Sequence, residues 1–454
     1  MEAMTIQPMA RSGITAQVSS QPTVRWYQKM MMAVAALVAL TLALAGCGGA
    51  TTTATAGGTV TLTFASWDAV EPATRQATLD LVKQFEAVHP KIKISMAPIP
   101  FSDIEQKVLL QIQSGTAPDV VQTAGNYTAD FNAAGALEPL DSLAPKSYQD
   151  AIPANVADVG KIDGKLVAVP WAIQPVGFWY NKKLLAQAGL DPQNPPKTIN
   201  DLLADLKIIK AKLPNVIPLG IDSTDRVFGL DVSWPWMRAF GAEPIAGSKA
   251  QATSGEMKNY LNFMRTLATK HFTEVNKKIG YFRPLAAQDK VAFIWDQPIL
   301  EPTMKATSKM DDKTFQSTWS VTTLPTDTAG QAFSVPQDHE LAILKSAKDK
   351  KAAWTFIEWM TRNDAALNHI VAKKGSLPPV SEPPPAVKAL IEQDPTLQAF
   401  RDKVTPTTVK PPWGPKYAKA YDPIMVGVQQ MMTSDTPVDS VATEMQTKLQ
   451  QALQ

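Results

Sequence analysis

Between residues 59 and 221 the chain switches repeatedly between two hydrophobic periods, and this alternation constrains the fold more than any other feature. Thr59-Val60-Thr61-Leu62-Thr63-Phe64 alternates polar and apolar residues, as a half-buried strand requires. From Pro72 to His89 the apolar positions Leu79, Val82, Phe85 and Val88 recur near helical spacing, and Pro90 ends the run. Residues 92–96 read as a second strand. Ser102 and Glu105 have capping-box spacing ahead of a helical face of Ile104, Val108, Leu109 and Ile112. Asp119-Val120-Val121 opens a third strand, and the helix after it ends near Gly135. Strand–helix–strand–helix order predicts an α/β fold with a parallel, doubly wound sheet.

The pattern restarts after the turn signal Asp163-Gly164. Residues 167–172 and 176–180 are rich in β-formers, and Asn181 is placed to cap a helix that ends at Gly189. Thr198 caps the next helix, 201–212, ahead of a buried-strand candidate at 216–221. Further strands are expected at 291–295, 318–324 and 340–344, and helices at 256–269, at 350–360 and at the C-terminus. There Val438, Val441, Met445, Leu449 and Leu453 share a face. The Pro-rich stretch 377–385 reads as an ordered crossing or surface loop. A chain of 454 residues accommodates two or three domains at ~150 residues each.

The N-terminus points to a compartment. An apolar run of fifteen residues, Met30 to Leu44, follows Arg25 and Lys29; it is shorter than the ~20 residues that span a bilayer, and small residues come after it. This is the layout of a secretory signal. Leu44-Ala45-Gly46-Cys47 resembles the lipobox of bacterial lipoproteins, which implies cleavage before Cys47 and its lipidation. Residues 48–58, small and polar, read as a flexible tether. The protein is therefore expected outside the cytoplasm, lipid-anchored to the cell membrane, at the cell surface or in the periplasm.

Composition excludes several functions. Of 44 basic and 42 acidic residues, Arg11, Arg25, Lys29 and Glu2 lie in the first 46, so the rest is formally neutral and lacks the basic excess that nucleic-acid binding needs. One cysteine allows no internal disulfide. The four histidines are dispersed. His339-Glu340 does not continue as a zinc-protease motif, because Ile343 stands at the fifth position. Neither a P-loop nor a GxSxG elbow occurs. No metal, cofactor or catalytic group is expected, although paired carboxylates for sugar hydrolysis need only meet in space.

Tryptophans are more informative. There are eleven, and several break the apolar periodicity: Trp67 beside Asp68 past the first strand, Trp171 after Pro170, Trp295-Asp296 at a strand end, and Trp413 in an exposed-looking proline loop. Trp234-Pro235-Trp236 is not expected inside a regular helix, since Pro235 lacks a donor and crowds the preceding turn. Trp354 and Trp359, at helical spacing, read as packing residues. Ligands of open α/β sheets collect beyond the carboxyl ends of strands, where flat rings suit the C–H face of a pyranose and carboxylates and amides suit its hydroxyls.

Several segments together resemble family 1 extracellular solute-binding proteins, the sugar-binding lipoproteins of ABC importers. They are TLTFASWD (61–68), QFEAVHPKIKI (84–94), IQSGTAPDVVQ (112–122), GALEPLD (135–141), the run from Asp163 to Thr198, DKVAFIWDQP (289–298) and GSLPPV (375–380). The resemblance implies a periplasmic-binding-protein type II fold, similar to maltose-binding protein: two doubly wound lobes joined by hinge crossings, with a ligand cleft between them. It implies crossings near 168–171, near Trp295 and after Leu344. One lobe then holds 58–168 and 296–345, and the other 169–295 and 346–454. Carried over from the family, the ligand positions are Trp67, Asp68, Asn126, Tyr127, Gln174, Trp234, Trp236, Trp295, Asp296 and Trp413; Asp119 fixes a loop. The implied function is capture of a sugar or short oligosaccharide by a monomer and its delivery to ABC permease subunits. The competing readings are a secreted carbohydrate-active enzyme and a binder of an anionic solute such as a glycerol phosphate.

Overall fold

The computed structural model describes residues 58–153, 156–327, 330–413 and 417–454. The expected signal peptide (1–46), the tether (47–57) and Cys47 lie outside them. Among the described residues no helix is long and apolar enough to cross a membrane. Thr59–Gln454 forms one unit around two main sheets.

The alternating segment forms β1 (Val60–Ser66), which buries Leu62 and Phe64 while Thr63 stays half-buried. Helix α1 (Arg75–Val88) turns Thr78, Leu81, Val82 and Phe85 inward, and Val88, expected on that face, is 62% exposed in the last turn. Strand β2 (Ile92–Pro98) leads to α2 (Phe101–Ser114). Pro100 occupies the N-cap and Ser102 falls inside the first turn, bonded to Asp103, so the expected capping box does not form. Strand β3 (Val120–Ala124) and α3 (Gly125–Ala133) follow, with Gly135 in the left-handed conformation (φ 69°). Asp119 accepts the Thr63 N–H at 2.7 Å and so fixes the loop before β3, as expected. At Asp163-Gly164 both residues take positive φ (50° and 75°), which is what a two-residue hairpin turn between 161–162 and 165–166 demands.

Strand β4 (Val169–Ala172) is followed by β5 (Gly177–Asn181) and α4 (Lys182–Ala188), capped by Asn181 through the Leu184 N–H and closed by Gly189 at φ 81°. Helix α5 (Ile199–Lys212) carries a full capping box, Thr198 with Asp201. Then come β6 (Ile217–Gly220), α6 (Val227–Ala239), α7 (Gly255–Thr269), α8 (Ile279–Ala286), β7 (Val291–Asp296), α9 (Leu300–Ser308) and β8 (Trp319–Thr322). Strand β9 (His339–Ile343), α10 (Lys350–Arg362), α11 (Asp364–Ala372), α12 (Pro385–Gln393), α13 (Tyr417–Thr433) and α14 (Val438–Ala452) complete the series.

The first sheet runs β2-β1-β3-β9-β4 and the second β8-β5-β7-β6. Strands β1, β2 and β3 are mutually parallel, but β9 runs antiparallel to β3 and β4, and β5 runs antiparallel to both β7 and β8. Both sheets are therefore mixed where the sequence pattern suggested parallel ones. The reason is that β5 and β9 are the opposing strands, and each follows a strand of the other sheet with no helix described between the two to set its direction. Two doubly wound lobes result, as the resemblance implied.

Sheet membership moves the expected crossings. Strand β4 bonds to β9, so 169–172 belongs with the first sheet, and the first passage lies at 173–176. Strand β8 pairs with β5, which keeps 300–322 with the second sheet and puts the second passage between Thr322 and His339. Helix α10 packs on β1, β4 and β9, so the third passage follows α11 rather than Leu344. These passages lie side by side through bridges Ile173↔Leu377 and Pro175↔Pro336.

Contrary to expectation, Trp234-Pro235-Trp236 sits within α6. The helix tolerates Pro235 because packing decides: Trp236 is fully buried, stacked on Phe263 at 5.5 Å, and the Val232 carbonyl accepts the Trp295 indole N–H at 2.9 Å.

Gly177 opens β5 immediately after the first passage, where an added Cβ meets Val321 Cγ2 at 2.6 Å and Phe400 Cε1 at 2.8 Å. Gly177→Ala is expected to destabilise the protein by ~1–3 kcal/mol in urea denaturation, by overpacking a site that has no room.

Candidate functional site

A cavity of about 550 Å³ opens between the two sheets. That volume lies in the range typical of small-molecule pockets, roughly 300–1,000 Å³. Its first wall is α3 (Gly125, Thr128, Ala129, Asp130, Asn132, Ala133) with the hairpin residues Lys161–Asp163. Its second is the start of α6 (Val227, Asp231). The floor is the passage segment Val335-Pro336-Gln337 with Glu340, and Lys410-Pro411 closes one end. Elements packed on each of the two sheets and one passage thus contribute.

Glu340 is held by its surroundings. Its Oε1 accepts the Gly125 N–H at 3.1 Å and its Oε2 the Thr128 hydroxyl at 2.6 Å. Burial raises its pKa to about 7, against the pull of Lys410 and these bonds. At the neighbouring edge, Phe101, Tyr127 and Phe228 enclose a void of about 10 Å³ together with Ala124, Asp231 and Gln337. Phe101 lies 5.4 Å from the Tyr127 ring and 5.9 Å, edge-on, from Phe228, so rings of the first lobe meet one of the second. Trp67 stands behind them, edge-on to Phe101 at 5.2 Å and to His339 at 4.9 Å.

Beneath this edge lies a charge network shut off from solvent. Lys374, 0% exposed, donates to Asp68 Oδ2 at 2.5 Å and to His339 Nδ1 at 2.9 Å. An ammonium only donates, so Nδ1 is an acceptor and the imidazole proton sits on Nε2. Burial and the Lys374 charge hold His339 well below its usual pKa. Burial opposes the charge on Asp68, yet the Lys374 charge, with the hydrogen bonds from Lys374 and Gln122, keeps that carboxyl below the ordinary range. Gln122 ties the network to β3, with Nε2 on Asp68 Oδ1 at 3.0 Å and Oε1 accepting from Ser66. Glu71, on the same loop as Asp68, is pushed up to about 7 by burial and by Asp68.

The residues singled out from sequence do not form one cluster. None of those described lines the large cavity, and Tyr127 lines the small void. Trp67 and Asp68 are buried one layer behind it. Asn126 falls on α3, with its side chain outside the described set. Gln174 lies in the first passage, fully buried; its backbone N–H bonds Asp338 Oδ1 at 2.7 Å and its amide atoms have no partner. Trp236 and Trp295 pack against each other in the second lobe's core, ring centroids 6.1 Å apart. Asp296 holds Arg283 in a two-pronged pair at 2.8 and 2.9 Å. Trp234 and Trp413 form a separate pair sharing Glu243, and Trp413, in the loop that looked exposed, is 4% exposed. Among the described residues no group of acidic, histidine or cysteine side chains is arranged to hold a metal.

Sequence reasoning missed Phe101, Phe228, Asp130, Asp231, Glu340 and Lys374. Two of them carried a signal: Phe101 opens the helix beyond the carboxyl end of β2, and Asp130 lies one turn beyond Asn126. Nothing local distinguishes Lys374 from its neighbour Lys373.

A model of the family described as bacterial extracellular solute-binding protein matches residues 68–367. The maltotriose-binding protein of Pyrococcus abyssi is 22% identical over 405 residues, covering 82% of this chain and 78% of that protein. An ABC transporter solute-binding protein from Thermotoga lettingae, solved with α-D-tagatose, superposes with a TM-score of 0.76 at 22% identity over 87% of this chain and all of the other. UgpB of Mycobacterium tuberculosis, solved with glycerophosphocholine, gives 0.75 at 19% identity over 87% and 99%. These structures share the fold.

Two outcomes follow from the buried groups. Lys374→Met leaves Asp68 charged and unpaired and should cost ~3–5 kcal/mol in chemical denaturation, most of it recovered by Asp68→Leu in the same chain. Glu340 has a folded pKa above its unfolded one, so its contribution is greatest at low pH and is lost as pH rises from about 4.5 to about 7. The stability of the native chain relative to Glu340→Gln should therefore fall by up to ~3 kcal/mol between about pH 5 and about pH 8, measured by urea titration of both proteins.

Proposed function

Because the chain belongs to the bacterial extracellular solute-binding protein family, we propose that it captures a sugar or short oligosaccharide outside the cell and delivers it unaltered to the permease of an ABC importer. The family is one of binding proteins for transporters. Of the three proteins named above, one binds maltotriose, one was solved with tagatose and one with glycerophosphocholine, and the cavity built from both lobes and one passage is the observation that carries the reading. A monomer, anchored through lipidated Cys47 and the 47–57 tether, would hold the site near its permease. Each acyl CH₂ buried in the membrane contributes about 0.8 kcal/mol to that anchoring.

Residues 59–172 and 339–372 act as one lobe, and 177–322 and 385–454 as the other. The three adjacent passages supply the rotation. Solute contacts α3 and Glu340 on one side and the start of α6 on the other, and so stabilises closure. Tyr127 and Phe228 give ring faces at the closing edge, while Thr128, Asp130 and Glu340 give hydrogen-bonding groups for hydroxyls.

Calorimetry against a panel of neutral mono- and oligosaccharides tests the reading, with a micromolar Kd, about −8 kcal/mol, expected for the preferred solute. Phe228→Ala is expected to weaken that binding by ~1–2 kcal/mol while leaving the fold intact by circular dichroism. Chromatography should return the sugar unchanged after long incubation; a shortened product would instead indicate an enzyme. A phosphate ester that outcompetes every neutral sugar would replace the sugar with an anionic solute, held by Lys161 and Lys410 on the cavity wall.

A further inference from the structure

The passages between the lobes hold buried polar atoms without partners. Asp338, at the end of the second passage, reaches across to the first, where its Oδ1 accepts the Gln174 N–H at 2.7 Å. The same two segments are knitted by the Gln337 N–H on the Gln174 carbonyl and the Val176 N–H on the Val335 carbonyl, 3.3 Å each. The Ser334 hydroxyl adds a bond to the Val176 carbonyl at 2.6 Å. Asp338 is therefore part of the pivot about which the lobes would turn. Its Oδ2 has no partner among the described residues, and neither has either amide atom of Gln174, although the two residues are 2% and 0% exposed.

The charged groups that face this carboxyl are Lys410, on the segment bridged to the second passage through Ser334↔Thr408, and Glu340, two residues along its own segment. Lys410 acts from a distance, its ammonium bonded instead to the carbonyls of Asp158 and Val159 at 3.0 Å each. His339, between the two acids, turns away to Lys374 at 2.9 Å. A carboxylate taken out of water with one hydrogen bond and no paired cation is costly, so such a group tends to keep its proton. Burial accordingly raises Asp338 to about 7, against the Gln174 N–H and Lys410. Glu340 is raised as well, but both of its oxygens are satisfied. Parting the passages would admit water, which stabilises the charged form of Asp338 and supplies the missing partners of Oδ2 and the Gln174 amide.

We infer that Asp338 is a proton-operated catch in the pivot: protonated, it lets the passages lie together as they do in this structure, and ionised, it favours their separation. Because the buried form holds the proton more tightly, acid favours this arrangement of the lobes, and pH rising through neutrality favours a more open one. By reciprocity, a solute that draws the lobes together also draws a proton onto Asp338. The inference rests on the lobes turning about their passages, as proposed above, and not on which solute they hold.

Small-angle X-ray scattering of the purified full-length chain, without added solute and at fixed ionic strength, reads the lobe arrangement. The radius of gyration is expected to rise between about pH 5 and about pH 8. Asp338→Asn keeps an acceptor for the Gln174 N–H but cannot ionise, so its radius should stay at the compact value throughout. Should that variant not fold, Asp338→Ser, which also carries no charge, takes its place. Gln174→Met removes the orphaned amide; it should lower the radius at high pH and keep the pH dependence. A native radius that does not change with pH would overturn the inference, as would a rise that persists in Asp338→Asn. A rise kept in Asp338→Asn and lost in Glu340→Gln would overturn it by moving the titration to Glu340. In each of these cases the calorimetric panel of sugars decides solute capture separately.

Discussion

The first lobe is organised around a lysine that never meets water. Lys374 reaches from the end of the α11 segment into the sheet and joins Asp68, which follows β1, to His339 at the start of β9, while Gln122 brings in β3. Its ammonium also lies 3.9 Å from the Trp171 ring centroid on β4. One positive charge thus links four strands of one sheet to the third passage between lobes. Such a charge is costly to bury alone, and the fold meets that cost with a carboxylate, an imidazole lone pair and a ring face together. The arrangement is unforgiving: a strand displaced by one residue would turn its partner away and leave the charge stranded.

This network ties down one side of the crevice edge. The loop carrying Trp67, Asp68 and Glu71 is tied beneath to Lys374 and Gln122, and Trp67 is wedged between Phe101 and His339. On the facing lobe, Asp296 performs a similar task with Arg283, holding the end of β7 to α8. Trp67, Asp68 and Asp296, which follow strands in the sequence, are buried and tie the ends of those strands to their surroundings. A site placed on supported elements keeps its geometry better than one carried by free loops.

How far the sequence could be read follows from the range of the forces involved. Capping at Asn181 and Thr198, the Asp163-Gly164 turn and the strand and helix spans depend on neighbours a few residues away, and they were legible. The Ser102–Glu105 box failed because Pro100 starts the helix first. Pro235 defeated a local rule because Trp236, Phe263 and Trp295 pack tightly enough to override it. Trp413, in a loop that looked exposed, is buried, and Trp236 and Trp295 pack on each other for a related cause: a ring at a break in periodicity can equally be a core residue beyond a strand end, and only the partner surface decides. Lys374 and Asp231 were invisible, since a charged residue's burial is set by chain far away in sequence.

The order of strands in the first sheet carries a temporal meaning. Strand β9, residues 339–343, sits between β3 and β4, which precede it by more than a domain's length of chain. Until it arrives, β3 presents an unpaired edge and Lys374 has not yet reached Asp68. The lobe can therefore close its core only after nearly the whole polypeptide has been made, and such distant pairings are slow to find. A lobe wired in this way cannot close while the chain emerges, and so its strands remain threadable through a narrow passage until the final quarter follows.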